Sequence, residues 1–185
     1  NEYTTHPMVT QACLRDDICD RDIEVYSAVE KQCMTVLSSV PGVRLLCRYG
    51  GITVPGVSDL DLFVICDDMT LPAVQQACAA LRTYSDEARY CLQHQIMVCP
   101  VSLLPNWKRL WFDNIAHGFM PLWGEKTLLR RMCIPTQESI GLSSLLWNTT
   151  LRRIVANPQA VRETRKALML VQVMLRQMIL FSHMQ

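Results

Sequence analysis

Tyr49-Gly50-Gly51 and, seven residues on, Ser58-Asp59-Leu60-Asp61-Leu62-Phe63-Val64 are the two ends of the segment that decides how this chain folds. The run into the glycines, Val43 to Tyr49, is short, apolar and suited to a strand. The run out of the loop, Asp59 to Cys66, alternates as a second strand does, and Pro55-Gly56 marks the loop between them. Neighbouring strands joined by a functional loop are therefore expected. A strand's period of two puts Asp59 and Asp61 on one face, about 7 Å apart at the backbone, and turns Leu60, Leu62 and Val64 toward the core.

Two carboxylates so placed repel unless a positive charge lies between them. A hard divalent cation such as Mg²⁺ suits them, because it takes oxygen ligands and is commonly shared between carboxylates and substrate phosphates. Gly50 and Gly51 allow a sharp turn whose backbone N–H groups can approach a phosphate. Ser58 adds a hydroxyl donor next to the first acid. These parts describe a site for a triphosphate held by backbone donors at one end and by metal at the other, with Asp59 and Asp61 as both metal ligands and catalytic residues.

Outward from this segment, Asp20 to Leu37 has helical spacing at Ile23, Tyr26, Val29, Cys33 and Val36 or Leu37, and Pro41-Gly42 stops it. Thr70 is positioned to cap a helix from Leu71 to about Tyr84, with Val74, Ala77, Cys78 and Leu81 on its buried stripe. Gln95 to Leu103 reads as a third strand ended by Pro105. Asn106 can cap a helix carrying Trp107, Leu110, Trp111 and Ile115 and closed by Gly118, and Pro121-Leu122-Trp123-Gly124 reads as a turn. Nearly everything after Ser139 is helical in pattern, with a break at Asn157-Pro158. The expected fold is α+β: a small mixed-sheet domain over 1–135, followed by a helical region over 136–185. The segment from Gln159 to Gln185 is apolar nearly all round between Ala167 and Phe181, so it needs burial against the first half, in a homodimer, or under further sequence of a longer helical domain.

The chain has 185 residues, half of them apolar, and a net charge of +1 from 18 basic and 17 acidic residues. That balance excludes the strong positive field of a dedicated nucleic-acid coat or an anionic-membrane binder. The nine cysteines form no C-x-x-C pair and fit core packing in a reducing cytoplasm. Ala167 to Phe181 is interrupted by Gln172, Arg176 and Gln177 and is too short to span a bilayer. A cytoplasmic protein without membrane attachment is expected. Asp67 and Asp68 read as a strand end in water. His6, His94, His117 and His183 lack zinc-ligand spacing and are taken as structural. Of the basic side chains, Lys126 and Arg130 are favoured over Lys108, Arg109 and Arg131 as contacts for triphosphate or acceptor.

A helix, a strand ending in a glycine pair, a loop and a strand bearing Asp-apolar-Asp resembles the signature of the DNA polymerase β type nucleotidyltransferase superfamily. Gly50, Gly51, Asp59 and Asp61 take the motif's positions, and Ser58 matches a frequent residue before the first acid. In element order the chain is similar to small bacterial members that adenylylate aminoglycosides, and Pro121-Leu122-Trp123-Gly124-Glu125 looks like the Leu-aromatic-Gly turn between their two halves. No helix-hairpin-helix pattern is present, so templated DNA synthesis is not expected. The resemblance implies transfer of a nucleoside monophosphate, AMP from ATP, to a hydroxyl on a small molecule or protein, with Mg²⁺. It also implies a third carboxylate on the next strand, as metal ligand or general base. Leu92 to Cys99 contains no acid, and Gln95 is the closest counterpart. His94 would point away from Gln95's face if the alternation holds. The alternative is a catalytically impaired domain that acts as a nucleotide-binding, regulatory or assembly module.

Overall fold

The helix expected from Asp20 is α1, Ile23–Ser39, and its buried stripe is Tyr26, Val29, Cys33 and Leu37 at three- and four-residue spacing. Ile23, also expected on that stripe, is the first residue of the helix and is 48% exposed. The computed structural model describes residues 21–105, 119–132 and 168. By contacts the chain divides into two units, Asp20–Trp147 and Asn1–Cys19 with Asn148–Gln185, and the elements below belong to the first. The expected helix from Asn106, the boundary near residue 135 and the helical region over 136–185 lie outside the described residues.

Among the described residues four strands follow the α+β expectation: β1 Val43–Tyr49, β2 Asp61–Cys66, β3 Met97–Pro100 and β4 Phe119–Gly124. Their order is β3-β2-β1-β4. β1 pairs antiparallel with both β2 and β4, while β2 pairs parallel with β3, so the sheet is mixed. Between β2 and β3 run α2, Leu71–Arg82, and α3, Asp86–Cys91. A parallel pair needs a crossover of this length, and the two helices provide it. β2 is central and buried from its second residue to its last.

Alternation splits the sheet's side chains between two layers. Leu46, Leu62, Val64 and Val98 meet Tyr26, Cys33, Val74 and Leu81 of the helices on one face. Leu45, Cys47, Phe63, Ile65 and Cys99 meet Leu104 and Leu128 on the other. Phe63, Leu62 and Ile65 are fully buried, and each such side chain stabilises the fold by about 1.5–3 kcal/mol relative to exposure. The six described cysteines, 33, 47, 66, 78, 91 and 99, are buried free thiols. Burial pushes Cys33, Cys47, Cys78 and Cys99 up to about 12, which suits packing and disfavours thiolate chemistry.

Several expectations need correction. Pro121-Leu122-Trp123-Gly124 is not a turn but most of β4, an edge strand. An edge tolerates Pro121, and the register with β1 shifts between Leu46 and Cys47, where Pro121 pairs. The third strand is shorter than expected, since Val101–Leu103 winds into a 3₁₀ turn. Thr70 stands at the N-cap of α2, yet its hydroxyl donates to the Asp67 carbonyl at 2.9 Å and does not cap the helix. α3 was not anticipated. Ser85 caps it by accepting the Ala88 N–H at 3.1 Å, with Asp86 and Glu87 in its first turn. Asp67 and Asp68 are more than a wet strand end: Asp67 pairs with Arg44 at 3.1 Å, and Asp68 accepts the Ser102 hydroxyl at 2.7 Å.

Candidate active site

Tyr49, the last residue of β1, pairs with Asp61, the first of β2, so residues 50–60 loop out from this end of the sheet. Gly50 opens the loop with φ +71°, a conformation that strains any residue with a Cβ. A Cβ there would lie 3.5 Å from Asp61 Oδ2, in ordinary contact, so backbone conformation and not space requires the glycine. Gly51 differs: a Cβ would meet nothing within 4 Å, and its φ is not positive. Open space therefore lies over the second glycine, next to the turn that approaches Asp61.

The loop is held from beneath. Tyr26 of α1 is fully buried; its hydroxyl donates to the Ser58 carbonyl at 2.7 Å and accepts the Gly56 N–H at 3.1 Å. Tyr90 donates to the Gly56 carbonyl. Ser58, 4% exposed, accepts the N–H groups of Thr53 and Val54 through Oγ at 3.1 and 3.0 Å. Its hydroxyl oxygen thus folds the loop back on itself just ahead of Asp59.

Of the two acids, Asp61 lies within β2 and Asp59 precedes it. The strand starts late because the Leu60 N–H donates to the Cys91 carbonyl at 2.8 Å, at the end of α3, instead of joining the β1 ladder. Asp61 shares a face with Tyr49, its cross-strand partner, and with Phe63 two residues on. Phe119, opposite Tyr49 on β4, packs edge-on to Phe63 with ring centroids 5.4 Å apart and lies 6.0 Å from the Tyr49 ring. The acid end of this face thus has an aromatic wall toward β4.

On the β3 side, Phe63 pairs with Met97 in parallel register. Two residues before each stand Asp61, which opens β2, and Gln95, an exposed residue that precedes β3 and carries an amide where a third carboxylate is implied. His94 departs from expectation. The chain bends at His94 and is not yet a strand, so alternation does not govern it. Its Nε2 lies 3.4 Å from Asp59 Oδ2, with the histidine side chain 70% and the aspartate 12% exposed. Arg82 fixes the approach, donating from Nε and Nη2 to the carbonyls of Leu92 and Gln93 at 3.1 and 2.9 Å. Neither Arg82 nor Tyr26 carries a sequence signal of these roles, since both contacts span loops.

Lys126 is not brought to this end. It opens the 3₁₀ segment Lys126–Met132 beyond Gly124, which pairs with Leu45, four residues and roughly 13 Å along β1 from Tyr49. Lys126 and Arg130 are both exposed. Lys108 and Arg109 lie outside the described residues, as does the side chain of Arg131. Asp59, Asp61, Gly50, Gly51 and Ser58 are therefore gathered by one loop and two strand ends. Among the described residues no group of three His, Cys, Asp or Glu side chains converges as a closed metal cage. Two half-buried carboxylates nevertheless fit a hard cation that keeps several waters and takes ligand oxygens. No helix among the described residues is long and apolar enough to cross a membrane.

No family model matches this chain, and no curated protein matches it. Among solved structures, a chain of the crystal structure of the toxin-antitoxin MntA-HepT aligns with 72% of this chain and 98% of its own length, at 14% identity and a TM-score of 0.34. A likeness that loose carries no argument about activity.

Proposed function

We propose that the loop between β1 and β2 is a metal-dependent nucleotide site, and that the protein transfers a nucleoside monophosphate, AMP from ATP, to a hydroxyl acceptor. The observation that carries this reading is the positive-φ turn at Gly50, which brings the start of the loop against the carboxylate of Asp61 at the first residue of the central strand, with open space where a Gly51 side chain would stand. Backbone N–H groups of the turn would receive the phosphates, and Ser58, through its bonds to Thr53 and Val54, holds the loop in shape around them. Asp59 and Asp61 would hold Mg²⁺, which when bound neutralises charge on the triphosphate and on the departing pyrophosphate. The acceptor oxygen would bond to the α-phosphorus as the bond to pyrophosphate breaks, and its proton would pass to solvent, since Gln95 cannot take it. Tyr49 and Phe119, whose rings lie 6.0 Å apart, would bound the site on the side toward β4.

The amide of Gln95, where the resemblance implies a third carboxylate, favours a second reading, a nucleotide-binding module that regulates or assembles without catalysing. Incubation with α-labelled ATP, Mg²⁺ and a panel of small-molecule and protein acceptors separates the two. Sustained pyrophosphate release with label on an acceptor supports transfer; Mg²⁺-dependent ATP binding with no release supports the module. Absence of Mg²⁺-dependent binding removes both.

A further inference from the structure

We infer that His94 supplies a nitrogen donor beside Asp59, so that the site binds late first-row divalent cations through a mixed oxygen and nitrogen ligand set. The inference rests on the proposal that Asp59 holds a divalent cation, and adds which cation this chain's own residues select.

The separation of the two donors is the first ground. Ligands about 2.1 Å from one cation, at a tetrahedral angle, stand ~3.4 Å apart. His94 Nε2 and Asp59 Oδ2 are 3.4 Å apart, so one ion can bridge them with little movement of either side chain. The second ground is that the backbone holds both donors. The Leu60 N–H, next to Asp59, bonds to the Cys91 carbonyl at 2.8 Å, and Arg82 grips the next two carbonyls, those of Leu92 and Gln93. The segments bearing Asp59 and His94 are therefore fastened to each other at the end of α3. The third ground is access: a side chain 70% exposed can receive a solvated ion without opening the core.

Beside any oxygen from Asp61, His94 and Asp59 leave the remaining positions to water and ligand oxygens. Imidazole favours Co²⁺, Ni²⁺ and Zn²⁺, whereas carboxylate and water alone suit Mg²⁺. His94 should therefore matter for the first group and not for Mg²⁺.

The test titrates Co²⁺ and Mg²⁺ separately into the untagged full chain by calorimetry, and follows Co²⁺ by its visible absorption. His94→Ala is expected to weaken Co²⁺ by about tenfold or more and to shift its visible band, while Mg²⁺ affinity stays within about twofold. Asp59→Asn is expected to weaken both cations, and circular dichroism melting confirms that each variant is folded. Equal loss for both cations in His94→Ala, or no change for Co²⁺, overturns the inference. If Mg²⁺ still binds in an Asp59-dependent way, the nucleotide-site proposal survives that result. If neither cation binds the wild-type chain, both proposals fall.

Discussion

Replacing Tyr26 by Phe should loosen the candidate site from beneath without touching it. The ring is fully buried, so its packing in the helix layer is retained, and the hydroxyl alone is lost. That hydroxyl serves two backbone groups of the loop, the Ser58 carbonyl at 2.7 Å and the Gly56 N–H at 3.1 Å. Each buried group deprived of its partner costs about 1–3 kcal/mol, and partial relaxation of the loop toward water limits the sum. A loss of about 2–4 kcal/mol is expected, read as the shift of the urea unfolding midpoint at constant slope. Amide exchange should rise in residues 51–59 and stay unchanged in the β1–β2 ladder. Tyr90→Phe removes the bond to the Gly56 carbonyl from a part-exposed position, and should cost about 0.5–1.5 kcal/mol. A Tyr26→Phe loss below about 0.5 kcal/mol, the size of an ordinary surface change, with unaltered exchange in the loop, would refute the bracing role.

Four further outcomes follow from the same geometry. Gly50→Ala should cost about 1–2 kcal/mol in thermal or urea unfolding because of the positive φ, whereas Gly51→Ala should leave stability within about 0.5 kcal/mol yet weaken triphosphate binding in calorimetry. Arg82→Leu frees the carbonyls of Leu92 and Gln93 and should raise amide exchange around His94, with a stability loss of about 1–3 kcal/mol. Arg48 is part-buried and pairs with Glu30 at 2.9 Å between β1 and α1, so Arg48→Ala should destabilise by more than Arg89→Ala, whose pair with Asp86 is exposed. Burial raises the thiols of Cys33, Cys47, Cys78 and Cys99 from 9.0 to about 12. A raised folded value stabilises fully below the unfolded value, so the urea midpoint should hold up to about pH 9 and fall as pH climbs toward 12; alkylation read by mass spectrometry should spare these four thiols until unfolding.

The elements near the quoted segment were legible because their patterns are local. α1 declares itself through Tyr26, Val29, Cys33 and Leu37, and α2 through Val74, Cys78 and Leu81, each at helical spacing. β1 and β2 are apolar runs separated by turn residues, and they pair as expected. β4 was hidden because Pro121 and Gly124 are turn residues by propensity, and only its place at the sheet edge makes them compatible with a strand. α3 is a six-residue helix too short for periodicity, although Ser85 followed by Asp86 and Glu87 is a start signal that could have been read. Within the site, Asp61, Gly50 and Gly51 come together as their spacing implies. His94 could not be placed, because its contact with Asp59 depends on a bend that breaks the alternation, and that bend is held by Arg82 from another helix. Lys126 was drawn toward the site by charge alone, and the register of β4 with β1 carries it to the other end of the sheet.

The central claim is a metal-dependent nucleotide site at Asp61 and the Gly50 turn, and calorimetry of ATP binding with and without Mg²⁺ tests it most directly. Wild-type protein should bind ATP only when Mg²⁺ is present, and Asp61→Asn should weaken that binding by about tenfold or more while the variant melts as a folded protein. ATP binding that ignores Mg²⁺, that persists unchanged in Asp61→Asn, or that is absent from the wild-type chain would contradict the account.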